Sequence, residues 1–80
     1  MTKIALLPGG FKPPHAGHYS MAKSLLQNSD ANKVIVKVGA KTREGVDQDT
    51  AVGLWNYYIK TDPEVPKGAI IAEPSIANSP

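Results

Sequence analysis

The sequence predicts an α/β fold in which three parallel strands alternate with two helices. Short apolar runs occur at three places along the 80 residues, and the two segments between them have apolar residues at helical spacing. Clusters of Gly, Pro, Asn and Asp separate these segments, as expected for turns. Strand–helix alternation of this kind implies a parallel sheet with right-handed crossovers, in the order β-α-β-α-β.

The first half of the chain supplies two strands and one helix. The first strand is predicted over residues 3–7, and the helix over residues 18–28, where apolar side chains fall on one face. Turn-forming residues over 27–32 end this helix. The second strand is predicted over residues 33–39, and its β-branched, almost continuously apolar sequence is typical of a strand covered on both faces.

The second half supplies a helix and a strand. A polar loop leads to the second helix, which Asp47 or Asp49 is expected to cap and which runs to about Ile59. The third strand is predicted over residues 69–72. The tail over residues 73–80 contains two prolines and is expected to be a loop.

Composition limits residues 1–80 to one small domain, because a chain of this length buries only about 60% of its unfolded surface. Hydrophobic residues at 41% and charged residues at 20% indicate a folded chain rather than a disordered one. The chain has no cysteine, which is compatible with the cytoplasm, where we expect the protein. It contains no apolar run long enough to span a membrane. Its net charge of +2 is too small to indicate nucleic-acid binding.

The loop between the first strand and the first helix is the strongest candidate for a functional site. It reads GFKPPHAGH over residues 10–18. Ligands of parallel sheets bind beyond the carboxyl ends of the strands, and the N-terminus of a helix attracts anions. His15, His18 and Lys12 add hydrogen-bond donors at this place. The loop therefore predicts a phosphate or polyphosphate site, and the basic loop after the second strand is expected at the same edge.

The run from Gly9 to His18, with the pattern Gly-x-Phe-x-Pro-x-His-x-Gly-His, resembles the HxGH signature of the nucleotidyltransferase superfamily. This superfamily includes cytidylyltransferases and nucleotide adenylyltransferases. The Phe-x-Pro form is more similar to the adenylyltransferases, which favours ATP. The resemblance implies a Rossmann-like parallel sheet and covers the first half of a family domain. The second family motif, a Ser/Thr-rich turn followed by arginine, does not occur, so we expect a truncated nucleotidyltransferase fold that lacks its C-terminal half.

The resemblance implies an enzyme that transfers an NMP group from ATP or CTP to a small phosphorylated acceptor, with release of pyrophosphate. It assigns the catalytic roles to His15 and His18, which would bind phosphate oxygens in the transition state. Lys12 stands where relatives have a varied residue, and we expect it to join the catalytic residues because its ammonium suits the β- and γ-phosphates. The residues expected to bind the nucleotide and its phosphates are Gly9, Gly10, Phe11, Gly17 and Lys41. Mg²⁺ would be held mainly by the triphosphate, and no protein metal ligand is assigned.

Each of these features also has an explanation without function. Lys12 can be a solvated loop lysine, Lys41 and Arg43 can be ordinary surface charges, and the two histidines can be a surface pair or half of a metal site. The aromatic residues of the second helix are expected in the core or an interface. The alternative function is a non-catalytic nucleotide- or phosphate-binding module, or an assembly module. Unpaired strand edges would favour a homo-oligomer.

Overall fold

The computed structural model describes residues 3–11 and 14–76, which form a three-stranded parallel sheet with two helices. The strands are β1 (Ile4–Gly9), β2 (Lys33–Val38) and β3 (Ile70–Pro74), and the helices are α1 (Ala16–Asn28) and α2 (Gln48–Thr61). The strand order in the sheet is β1-β2-β3, and both neighbouring pairs are parallel. The predicted α/β class and element order are therefore confirmed.

The bounds of the elements differ slightly from those predicted. The strand β1 continues beyond residue 7 to Gly9, and α1 begins at Ala16 rather than at residue 18. The strand β3 includes Glu73 and Pro74, which were expected in the tail loop. Both residues pair with β2, so the strand continues to the carboxyl edge of the sheet.

Asp47 is the N-cap of α2, and Asp49 lies in the first turn. The Oδ1 atom of Asp47 accepts a hydrogen bond from the Thr50 N–H at 2.8 Å, which satisfies one of the amides that a helix start leaves without a partner. The prediction that one of these two aspartates caps α2 is confirmed.

Both helices pack on the same face of the sheet. The order β1-β2-β3 steps in one direction, so two right-handed crossovers place both helices on the same side. Val34, Val36 and Val38 are fully buried under them, while the alternating residues of β2 are only half-buried. The prediction that β2 is covered on both faces is therefore wrong. The alternation was present in the sequence, since Lys33 and Lys37 both fall on the second face.

No helix of the described residues covers the second face of the sheet. Leu6, Ile35 and Ile71 are register neighbours across the three strands and form an apolar row on this face. Leu6 is 62% exposed. An ion pair between Lys37 and Glu73, with Nζ and Oε1 2.9 Å apart, lies next to the row toward the carboxyl edge.

Trp55 of α2 lies at the centre of the core and is fully buried. Its ring is 5.1 Å from the ring of Phe11 and 6.4 Å from that of Tyr19, measured between centroids. The aromatic residues of α2 differ in their burial, because Tyr57 is 65% exposed and Tyr58 is half-buried. The expected core position is therefore confirmed for Trp55.

A polar contact joins α1 to the end of α2. The Tyr19 hydroxyl donates to Oδ2 of Asp62 at 2.9 Å, and Lys23 Nζ lies 2.9 Å from the same oxygen. Burial and this hydrogen bond raise the pKa of Tyr19 to about 12. The hydrogen bond from Lys23 lowers the pKa of Asp62. The contact thus joins the first half of α1 to the C-cap of α2.

In the part of the chain that the structure describes, neither helix has the length and apolar character needed to cross a membrane.

Candidate functional site

Hydrogen bonds join the C-terminal ends of the three strands at the carboxyl edge of the sheet. The Gly39 N–H donates to the Gly9 carbonyl at 2.9 Å, which joins the loops that follow β1 and β2. The side-chain amide of Gln48, the first residue of α2, donates to the carbonyls of Val38 at 3.0 Å and Ser75 at 2.7 Å. The two loops expected at this edge are therefore adjacent, as the topology predicted.

His15 and His18 lie together at the start of α1. Their rings are stacked, with centroids 3.7 Å apart and an interplanar angle of 22°. His15 is the N-cap of the helix, and its Nδ1 atom accepts a hydrogen bond from the Gly17 N–H at 3.1 Å. The Nδ1 atom of His18 accepts in turn from the His15 N–H at 3.2 Å. The pair forms a capping box made of two imidazoles.

This arrangement fixes the hydrogen-bonding character of both rings. An Nδ1 atom that accepts a hydrogen bond carries no proton, so the proton of each neutral ring is on Nε2. Burial and the charge of His15 lower the pKa of His18, which keeps it neutral at lower pH than an ordinary histidine. The start of α1 therefore presents two oriented Nε2–H donors, with a helix N-terminus behind them.

Phe11 connects this pair to the core. Its ring makes edge-on contacts with the ring of His18, 5.0 Å away, and with that of Trp55, 5.1 Å away. The backbone of Phe11 has a φ of 48°, in the left-handed region that costs a residue with a side chain about 1–2 kcal/mol. The turn after β1 is thus made at Phe11, while Gly9 and Gly10 do not have positive φ.

Gly9 provides space for the Phe11 ring. A Cβ at Gly9 would lie 2.5, 2.7 and 2.9 Å from three atoms of this ring, whereas the nearest atom found for a Cβ at Gly10 among the described residues is 3.9 Å away. We expect Gly9→Ala to displace Phe11 and destabilise the fold by about 1–3 kcal/mol, since the added methyl overpacks the site. Gly10→Ala is the matched control, with an expected change within about 0.5 kcal/mol. Urea unfolding measures both, and equal stabilities would contradict the role of Gly9.

Gly17 has a comparable steric role at the histidine pair. A Cβ at this position would lie 3.0 Å from Cε1 and 3.1 Å from Nδ1 of His15, which is tighter than ordinary contact. The glycine of the HxGH pattern therefore leaves room for the imidazole that caps α1.

The three basic residues considered from the sequence have different positions. Lys12 lies outside the described residues. Lys41 is exposed in the loop after β2, and no hydrogen bond or ion pair joins it to another described residue. Arg43, to which the resemblance assigned no role, extends to the loop after β1: its Nη1 atom lies 3.9 Å from the place of a Cβ on Gly10. Sequence reasoning missed this proximity because the short hairpin that places Arg43 has only Gly45 as a turn signal.

The described residues contain no group of three or more His, Asp or Glu side chains placed to hold a metal ion. The histidine pair has the Nδ1 atoms of both rings engaged by backbone amides. Only the Nε2 atoms remain for a ligand.

No family model matches the chain, and no curated protein or solved structure shows significant similarity to it.

Proposed function

We propose that this protein binds a nucleoside triphosphate at the loop after β1 and transfers its nucleotidyl group to a phosphorylated acceptor. The observation that carries the proposal is the stacked pair of His15 and His18, whose Nε2–H groups are oriented by the cap of α1. Such donors suit the oxygens of a phosphate, and their position beyond a parallel strand is where α/β folds bind ligands. Among the reactions that a phosphate site can support, the resemblance to the HxGH signature favours nucleotidyl transfer.

The reaction requires positioning and charge stabilisation more than covalent chemistry. An oxygen of the acceptor's phosphate attacks the α-phosphorus, and the bond from this phosphorus to the bridging oxygen breaks. Pyrophosphate leaves with the electron pair of that bond. Negative charge grows on the α-phosphate oxygens, and the Nε2–H donors of His15 and His18 would stabilise it.

The fixed geometry of the pair favours this role. Each ring is held by its own backbone hydrogen bond, and the Phe11 ring packs against His18. Donors that are already oriented need no reorganisation during the reaction, which makes them more effective than mobile side chains. Mg²⁺ would enter with the nucleotide and take its oxygen ligands from the phosphates, so the imidazoles would be left to act as donors.

Two measurements on the same protein test the proposal. We expect addition of MgATP or MgCTP to shift the NMR signals of both imidazoles, which are the only two in the chain. We also expect pyrophosphate release with one of these nucleotides and a member of a panel of phosphorylated acceptors. Lys67→Ala is the control, because this exposed cation precedes β3 at the opposite edge of the sheet.

The outcomes separate catalysis from simple binding. Histidine shifts without pyrophosphate release would favour the non-catalytic nucleotide-binding module. If neither nucleotide shifts either imidazole signal at millimolar concentration, the proposed site is wrong.

A further inference from the structure

Arg43 is the first residue of a tight hairpin at the carboxyl edge of the sheet. Its N–H donates to the Val46 carbonyl at 3.1 Å, and the Val46 N–H donates back to the Arg43 carbonyl at 2.8 Å. The two residues between them, Glu44 and Gly45, have φ of 51° and 78°. Positive φ at both central positions is typical of a two-residue type I′ turn, which defines the path of the chain closely.

The hairpin places the guanidinium of Arg43 beside the loop after β1. Nη1 and Cζ lie 3.9 and 4.0 Å from the position that a Cβ on Gly10 would occupy, so the planar group lies near this residue. Arg43 is exposed, and none of the ion pairs among the described residues involves it. Its charge is therefore not neutralised by a described carboxylate.

The guanidinium and the imidazoles approach the same short segment from different residues. Arg43 lies near Gly10, and His18 contacts the next residue, Phe11, through its ring. A single phosphate carries its charge at one place, whereas a chain of phosphates carries charge along its length. A chain bound at the imidazoles could extend along Gly10 to the guanidinium of Arg43. Arginine is suited to this, since its planar fork donates two parallel hydrogen bonds to phosphate oxygens.

We infer that Arg43 is the specificity-determining residue with which this site selects polyphosphates over a single phosphate. The inference rests on the proposed function, because it requires that phosphate binds at the histidine pair. It adds a substrate preference and a residue that the HxGH pattern does not contain.

The test compares three probes, inorganic phosphate, pyrophosphate and tripolyphosphate, by calorimetric titration and by the shifts of the two imidazole signals. The wild-type protein should bind tripolyphosphate more tightly than phosphate. Arg43→Ala should weaken tripolyphosphate binding about 10- to 100-fold, the effect of losing charge-assisted hydrogen bonds, and leave phosphate binding nearly unchanged. Arg43→Lys keeps the charge without the planar fork, so its affinity for tripolyphosphate should lie between those of the wild type and Arg43→Ala.

A second variant tests the hairpin rather than the charge. Gly45→Ala puts a side chain at a φ of 78° and should disturb the turn that positions Arg43. Like Arg43→Ala, it should therefore weaken the binding of tripolyphosphate. Lys67→Ala removes one exposed positive charge before β3 and controls for non-specific electrostatic attraction.

The results distinguish this inference from the proposed function. If tripolyphosphate shifts both imidazole signals equally in the wild type and in Arg43→Ala, with equal affinity, Arg43 has no selective role while the site itself stands. If Lys67→Ala weakens binding as much as Arg43→Ala, the effect is general charge and the inference fails. If no probe binds to the wild type, both proposals are overturned.

Discussion

Trp55→Ala is expected to leave the protein largely unfolded at room temperature. Trp55 is the largest of the fully buried side chains, and removing a buried tryptophan side chain typically costs about 3–5 kcal/mol. A folded chain of this size has a total stability of about 4–12 kcal/mol, and a small core places it at the lower end of that range, where the loss approaches or exceeds what is present. The variant also removes the contact that supports the Phe11 ring. Far-UV circular dichroism with urea unfolding measures the change.

Two controls separate the loss of packing from other effects. Trp55→Phe keeps an aromatic ring and removes the indole N–H, which is buried and has no hydrogen-bond partner among the described residues. Because an unsatisfied buried donor is itself unfavourable, this variant should cost clearly less than alanine. Tyr57→Ala, on the same helix but 65% exposed, should change stability by less than about 0.5 kcal/mol. A Trp55→Ala protein as stable as Tyr57→Ala would contradict this account of the core.

His18→Asn is expected to reduce pyrophosphate release about 100- to 1,000-fold while the fold remains intact, the size of effect seen when one fixed donor to a developing oxyanion is removed. The side-chain oxygen of asparagine lies near the position of Nδ1 and can still accept from the His15 N–H, so the capping box is kept. The Nε2–H donor is lost. The reaction therefore becomes slower for a chemical reason and not because α1 is weakened.

His18→Gln is the complementary variant. Its amide nitrogen lies near the position of Nε2 and restores a donor, but its side chain no longer accepts from the His15 N–H. We expect it to lose about 0.5–1.5 kcal/mol of stability and to retain much more activity than the asparagine variant. The release rate and the midpoint of thermal unfolding are measured for both variants. If asparagine were more active than glutamine, the Nε2–H of His18 would not be the acting group.

The type and order of the elements followed from the sequence because each depends on local patterns. The apolar runs, the helical spacing and the cap at Asp47 are all readable within a few residues. The mistaken expectation about β2 has a different origin. Whether Ile35 is covered depends on the side on which both crossovers fall, and within β2 only the alternating Lys33 and Lys37 indicated it.

The sequence predicted those features of the candidate site that depend on local patterns, as it did for the fold. The pattern placed His15 and His18 on one loop, and the structure brings their rings together. Their tautomers depend on which backbone amides lie within reach of Nδ1, which only the folded helix start determines. The approach of Arg43 to Gly10 connects residues far apart in the chain, so no local pattern contained it.

The packing of Phe11 between His18 and Trp55 has an optical consequence. Trp55 is the only tryptophan in the chain, and its ring touches the loop residue that also touches the histidine pair. Its emission therefore reports on a single buried environment, which includes the Phe11 ring of the loop. A rearrangement of that loop would alter the surroundings of the indole without any attached label. The protein thus contains its own fluorescent sensor of the loop after β1.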